Sequence, residues 1–176
     1  MAFYHELKGI ALDATNKCCN EILKRAQEQL GLPREEIILR PLRPEDIGWN
    51  PLGVTPKFKV GLATTLGWNN LVATYTIADN RFVCITGVFT EESTPTRIHQ
   101  IKINRAGSDA RIWNVQRVSL QDDHEMHVDD PIIIDQNTQL TITGYNGLLT
   151  TTGTSTWEEF GMIGCVAEKR GMLINP

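Results

Sequence analysis

Between residues 3 and 30 the apolar side chains Phe3, Leu7, Ile10, Ala14, Cys18, Ile22, Ala26 and Leu30 recur at steps of three and four, the spacing of one helix face. Glu6, Asp13, Asn16, Lys17, Asn20, Lys24 and Glu28 fill the opposite face, so the pattern predicts an amphipathic helix, interrupted or kinked at Gly9. Gly31 followed by Pro33 supplies a stop signal. Such a stripe either packs on the chain's own sheet or forms an arm against a neighbouring subunit. In the second case Phe3, Leu7 and Ile22 are the expected contact residues.

The texture changes at residue 33. Pro33, Pro41, Pro44, Pro51 and Pro56 punctuate the next stretch, and each removes a backbone donor and biases its predecessor away from helix. This predicts an extended connector over 33–56, with one short strand at 36–40. From residue 57 onward the pattern is that of strands, at 57–63, 71–78, 81–90, 97–105, 110–120, 131–135, 139–145, 148–152 and 160–169, each bounded by turn-forming residues. Ile98, Ile101 and Ile103 interleave, with one slip, with His99, Lys102 and Asn104, and Leu140 and Ile142 with Thr141 and Thr143. One buried and one wetted face per strand is the mark of antiparallel sheets. Asn146-Gly147 reads as a tight hairpin turn, and no second helical pattern follows residue 32. The expected fold is mainly β: an antiparallel two-sheet, jelly-roll-like sandwich over 57–176, preceded by an amphipathic α-helical arm over 1–32 and a Pro-rich connector over 33–56.

Composition narrows the function classes. A chain of 176 residues forms one domain with a full core. Its 17 basic and 21 acidic residues contain no basic block, so a direct nucleic-acid contact is not expected. No apolar run reaches the ~18 residues of a membrane span, and MAFYHELKGIALDA lacks signal-peptide features, so synthesis in a cytoplasm is the expectation. The four cysteines, Cys18, Cys19, Cys84 and Cys165, form no CxxC pair and are expected to be free, mostly buried thiols.

The densest chemistry lies in QDDHEMHVDDP, residues 121–131, expected to be a solvated loop between two strands. His124 and His127, with Asp122 or Asp129, carry donor atoms suited to Zn, Fe or Mn and are the candidate ligands if an ion binds; no cofactor is expected. No nucleophile elbow exists, and Ser108 in RAGSDAR is ordinary turn chemistry. Arg97, Lys102, Arg105, Arg111 and Arg117 fall on two successive strands. With Glu91, Glu92 and the acidic loop they give one molecule two complementary patches, which favours self-assembly, with Arg105 and Arg111 as expected contacts.

An arm and connector, short strands, the segment DDPIIIDQNTQLTITGY and the closing strand EEFGMIGCVAEKRGMLINP together resemble the small single jelly-roll structural proteins of bacterial and archaeal viruses. The resemblance implies a non-enzymatic capsid or head-decoration subunit. It would sit in the virion, partnered by other copies of itself and by other shell proteins. Two alternatives share the architecture: a cupin-like metal enzyme, which needs ligands converging between the sheets, and a carbohydrate-binding sandwich module.

Overall fold

The computed structural model describes residues 9–49, 58–61, 66–90, 97–120, 124–147 and 157–171. Helix α1 spans Ile10–Leu30, opening directly after Gly9 (φ 57°) and closing at Gly31 (φ 64°), whose N–H donates to the Gln27 carbonyl. The strands are β1 (Ile37–Pro41), β2 (Lys59–Gly61), β3 (Gly67–Thr76), β4 (Arg81–Thr90), β5 (Ile98–Arg105), β6 (Ser108–Asn114), β7 (Glu125–Ile134), β8 (Gln139–Asn146) and β9 (Trp157–Lys169). A short helix, α2 (Val115–Ser119), follows β6.

All pairings are antiparallel, and they nest. Strand β5 pairs β6, β4 pairs β7, β3 pairs β8, and β1 and β2 pair β9. This is one long hairpin with the β5–β6 turn at its tip. Rolling the hairpin up adds two further pairings, β4 with β9 and β5 with β8. The result is two sheets, β1-β9-β4-β7 with β2 beside β9, and β3-β8-β5-β6. Chain neighbours thus mostly fall in different sheets, the arrangement of a jelly roll.

The main core fills the space between the sheets, with Val83, Ile85, Ile132, Ile134 and Val166 from one and Ile101, Ile103, Trp113, Leu140 and Ile142 from the other. A second core lies outside the first sheet. There Cys18, Ile22 and Ala26 of α1 meet Ile37, Phe82, Cys84, Cys165 and Ala167. Strand β4 serves both cores, which is why its residues from Phe82 to Val88 are all buried despite the antiparallel sheet. Its register slips between Ile85 and Gly87 against both neighbours. At that bulge the Met126 carbonyl occupies the space a Cβ on Gly87 would need.

Several expectations are corrected. Of the two readings of the helix stripe, packing on the chain's own sheet holds, and Ile22 is fully enclosed there and is no contact for a neighbouring subunit; Phe3 and Leu7 lie outside the described residues. The connector is part of the fold, because β1 joins the first sheet and Pro44–Ile47 forms a 3-10 turn with Asp46 and Ile47 buried. The strand expected over 110–120 ends at Asn114. That side chain accepts from the Arg117 N–H and caps α2, and the helix buries Val115 and Val118 three residues apart. Segment 125–130 is the first half of β7, not a loop. Asn146 is the last residue of β8, and neither it nor Gly147 is left-handed. The left-handed pair that turns a hairpin is Ala106-Gly107 (φ 51° and 81°), between β5 and β6. The strand expected at 148–152 falls outside the described residues.

An ionic group closes one end of the sandwich. Arg40 of β1 grips Asp46 with two bonds of 2.6 Å and reaches Glu168 of β9 at 2.7 and 3.1 Å. Arg81 of β4 bonds the same two carboxylates at 3.2 and 2.9 Å. Asp46 and Glu168 are buried, so each carboxylate needs its guanidinium partners to replace lost hydration.

Candidate interaction surface

With α1 roofing the first sheet, the outer face of β3-β8-β5-β6 is the uncovered broad surface among the described residues. The period of two sends Leu140, Ile142, Ile101 and Ile103 into the core and turns their neighbours outward. The register then sets the outward side chains in rows. Trp68 lies opposite Tyr145; Asn70 lies opposite Thr143, which lies opposite Lys102, which lies opposite Ile112.

Three large apolar groups are therefore exposed on one face: Trp68 (43%), Tyr145 (37%) and Ile112 (53%). The Trp68 and Tyr145 rings meet edge-to-face, with centroids 5.5 Å apart and planes at 69°. The Lys102 amine sits 5.1 Å above the Trp68 ring and 3.5 Å from Asp109. His99 lies beside Tyr145 on the same face, with ring centroids 6.5 Å apart. Around them Thr74, Thr141, Asn104 and Asn114 supply uncharged hydrogen-bonding groups, Thr74 and Thr141 meeting at 3.5 Å. The face is thus aromatic beside the β3 edge, with Ile112 on the β6 edge, and between and around them polar, its Lys102 paired with Asp109.

The histidine-rich segment does not assemble into a ligand set among the described residues. His127 lies on the side of β7 away from the main core, and its Nε2 faces Glu125 Oε2 at 3.3 Å. Met126 and Val128 point the other way, into the core. His124 precedes the strand with φ 51°. Asp122 and the Asp129 side chain lie outside what the structure describes. The ligand-type side chains that do converge are Cys18, Cys84 and Cys165, a grouping invisible in sequence because the positions come from three elements. Cys18 and Cys84 form a disulfide, which corrects the expectation of free thiols at those two positions.

Arg105 and Arg111 both reach β7 of their own chain. Arg105 donates to the Ile133 carbonyl at 2.6 Å, and Arg111 lies 3.3 Å from Asp130. The complementarity read between the basic strands and the acidic segment is therefore used, in part, within one molecule.

No protein-family model and no curated protein matches the chain. Among solved structures it is similar to dimeric latent PorU from Porphyromonas gingivalis, with a TM-score of 0.28 and 4% identity, over 75% of this chain and 12% of that one. A likeness of that size carries no argument about this protein. No helix among the described residues is long and apolar enough to cross a membrane.

Proposed function

We propose that the chain is a structural subunit of a virus shell, capsid or decoration, that associates with further copies of itself through the outer face of β3-β8-β5-β6. The observation that carries the reading is the exposed pair Trp68 and Tyr145, with Ile112 exposed on the far edge strand of the same face, on a sheet whose counterpart is already roofed by a helix. Exposed aromatics paired on one face and surrounded by hydrogen-bonding side chains have the make-up of an interface anchor. Lys102, already beside Asp109, is the basic side chain of the Trp68 rows, so two identical faces can meet without strong like-charge repulsion.

The alternatives fit the geometry less well. A cupin-like centre needs histidines and carboxylates together between the sheets. Among the described residues the buried carboxylates, Asp46 and Glu168, are closed by Arg40 and Arg81. A sugar platform needs a free flat ring face, whereas Trp68 holds Lys102 over its face and crosses Tyr145 at 69°.

Sedimentation of the full chain over a range of concentrations tests the reading. Wild type is expected to associate, and Trp68→Ala to weaken association at least about tenfold, as loss of a central aromatic anchor does. The melting temperature should barely move, since an exposed substitution stays within about 0.5 kcal/mol. Strictly monomeric wild type at every concentration would refute the proposal.

A further inference from the structure

All four cysteines of the chain gather between α1 and the first sheet. They come as two adjacent pairs: Cys18 and Cys19 are successive on the helix, while Cys84 of β4 and Cys165 of β9 are direct cross-strand partners. One helix–strand couple, Cys18–Cys84, is a disulfide. The remaining couple is Cys19 and Cys165, whose sulfurs lie 2.6 Å apart, and Cys165 Sγ is 3.9 Å from Cys18 Sγ. Cys165 is buried, whereas Cys19 is only partly so and is the member a reagent can reach.

We propose that Cys19 is a thiol–disulfide exchange site that takes a small disulfide oxidant of the glutathione class, and that Cys165 resolves the adduct into a second bridge beside the first. The Cys19 thiolate attacks one sulfur of the oxidant, forming a mixed disulfide and expelling one small thiolate. Cys165 then loses its proton and attacks Cys19 Sγ, forming the Cys19–Cys165 bond and expelling the second small thiolate. Two protein thiols are oxidised and one small disulfide is reduced to two thiols. The roles follow from the environments. Contact with Cys165 lowers the Cys19 thiol, outweighing the rise that burial causes, while the same contact and burial both push Cys165 up. Cys19, the partly exposed member, therefore meets the oxidant first, and Cys165, buried behind it, is the resolving thiol.

The sulfurs of Cys18, Cys84 and Cys165 lie within 4.8 Å of one another, which also suits a soft metal ion. Two observations favour bridges. Two of those three sulfurs are already joined. The pocket is walled by Ile22, Ala26, Phe82 and Ala167, where neutral disulfides avoid the desolvation cost of a thiolate-bound ion. The inference does not rest on what the open sheet face binds.

Alkylation of the denatured full chain, followed by peptide mass mapping, tests it before and after exposure to oxidised glutathione. Before exposure, Cys19 and Cys165 should be alkylated and Cys18–Cys84 linked. Afterwards both should be lost to alkylation, a Cys19–Cys165 peptide should appear, and the melting temperature of the native protein should rise. Cys19→Ser should abolish that rise and leave Cys165 alkylated, whereas Cys165→Ser should stop at the mixed disulfide on Cys19. Because Cys165 is buried, Cys19→Ser carries the test if Cys165→Ser does not fold. Full alkylation of Cys19 and Cys165 after exposure overturns the proposal. So does a Cys18–Cys165 bridge, or zinc bound one per chain that shields the thiols until a chelator removes it.

Discussion

Replacing Arg40 with alanine is expected to destabilise the fold by about 3–5 kcal/mol, the cost of breaking a buried ionic group so that Asp46 and Glu168 share Arg81 alone. Arg40 makes the two-armed bond to Asp46 and two bonds to Glu168, and its side chain is 11% exposed against 1% for either carboxylate. Water therefore cannot substitute for the lost guanidinium. Urea unfolding measures the effect, and a loss below about 1 kcal/mol would place the group with solvated surface pairs instead. The same site sets an acid limit. Burial alone would raise the Glu168 carboxyl, but Arg40 and Arg81 outweigh it and hold the group below the ordinary carboxylate range. A carboxyl depressed in the folded state contributes stability above its unfolded value of about 4.3, and that contribution is lost as pH falls through the lower folded value. The melting temperature should therefore drop on acidification below about pH 4. Glu168→Gln should flatten part of that drop while lowering stability at neutral pH.

The second large effect is expected at α1. Ile22→Ala should cost about 2–5 kcal/mol, because Ile22 is fully buried between the helix and the sheet and its removal leaves a cavity there. Deleting residues 1–32 should do more. It strips the cover from Phe82, Cys84 and Ala167, so the remaining sandwich is expected to aggregate and not fold as a separate unit. Circular dichroism and light scattering on the truncated chain decide this. A soluble, cooperatively melting product would show that the helix is an appendage.

What could be read from the sequence was whatever depends on near neighbours. Strand β4 has the expected bounds because Asn80 turns the chain before it, and β8 is legible because Leu140 and Ile142 alternate cleanly with threonines, although it runs one residue further, through Asn146. The helix was visible in its three-and-four stripe, but which surface the stripe meets is settled by packing alone. Strand residues 125–130 were missed because charged side chains line one side, although Met126 and Val128 carried the alternating signal. The α2 turn was missed because Val115 and Val118 serve a strand pattern nearly as well as a single helical turn. Long-range groups left no local trace. Arg40 and Glu168 are 128 positions apart, Cys19 and Cys165 146 apart, and only the rolled hairpin brings them together.

Nested pairing also fixes an order of events during folding. The β5–β6 hairpin closes across a two-residue turn, whereas Ile37 must find Lys169, with most of the chain between them. Loop-closure entropy therefore favours zipping from the tip outward, β4 to β7, then β3 to β8, with β9 last. Strand β9 carries the most pairings in its sheet, touching β1, β2 and β4. On a ribosome, those three strands wait with open edges until β9 emerges, so this chain completes its first sheet late and all at once. A nascent chain halted before residue 157 would present those unpaired edges to its neighbours, which makes the interval before β9 is delivered the period of greatest exposure to misassembly.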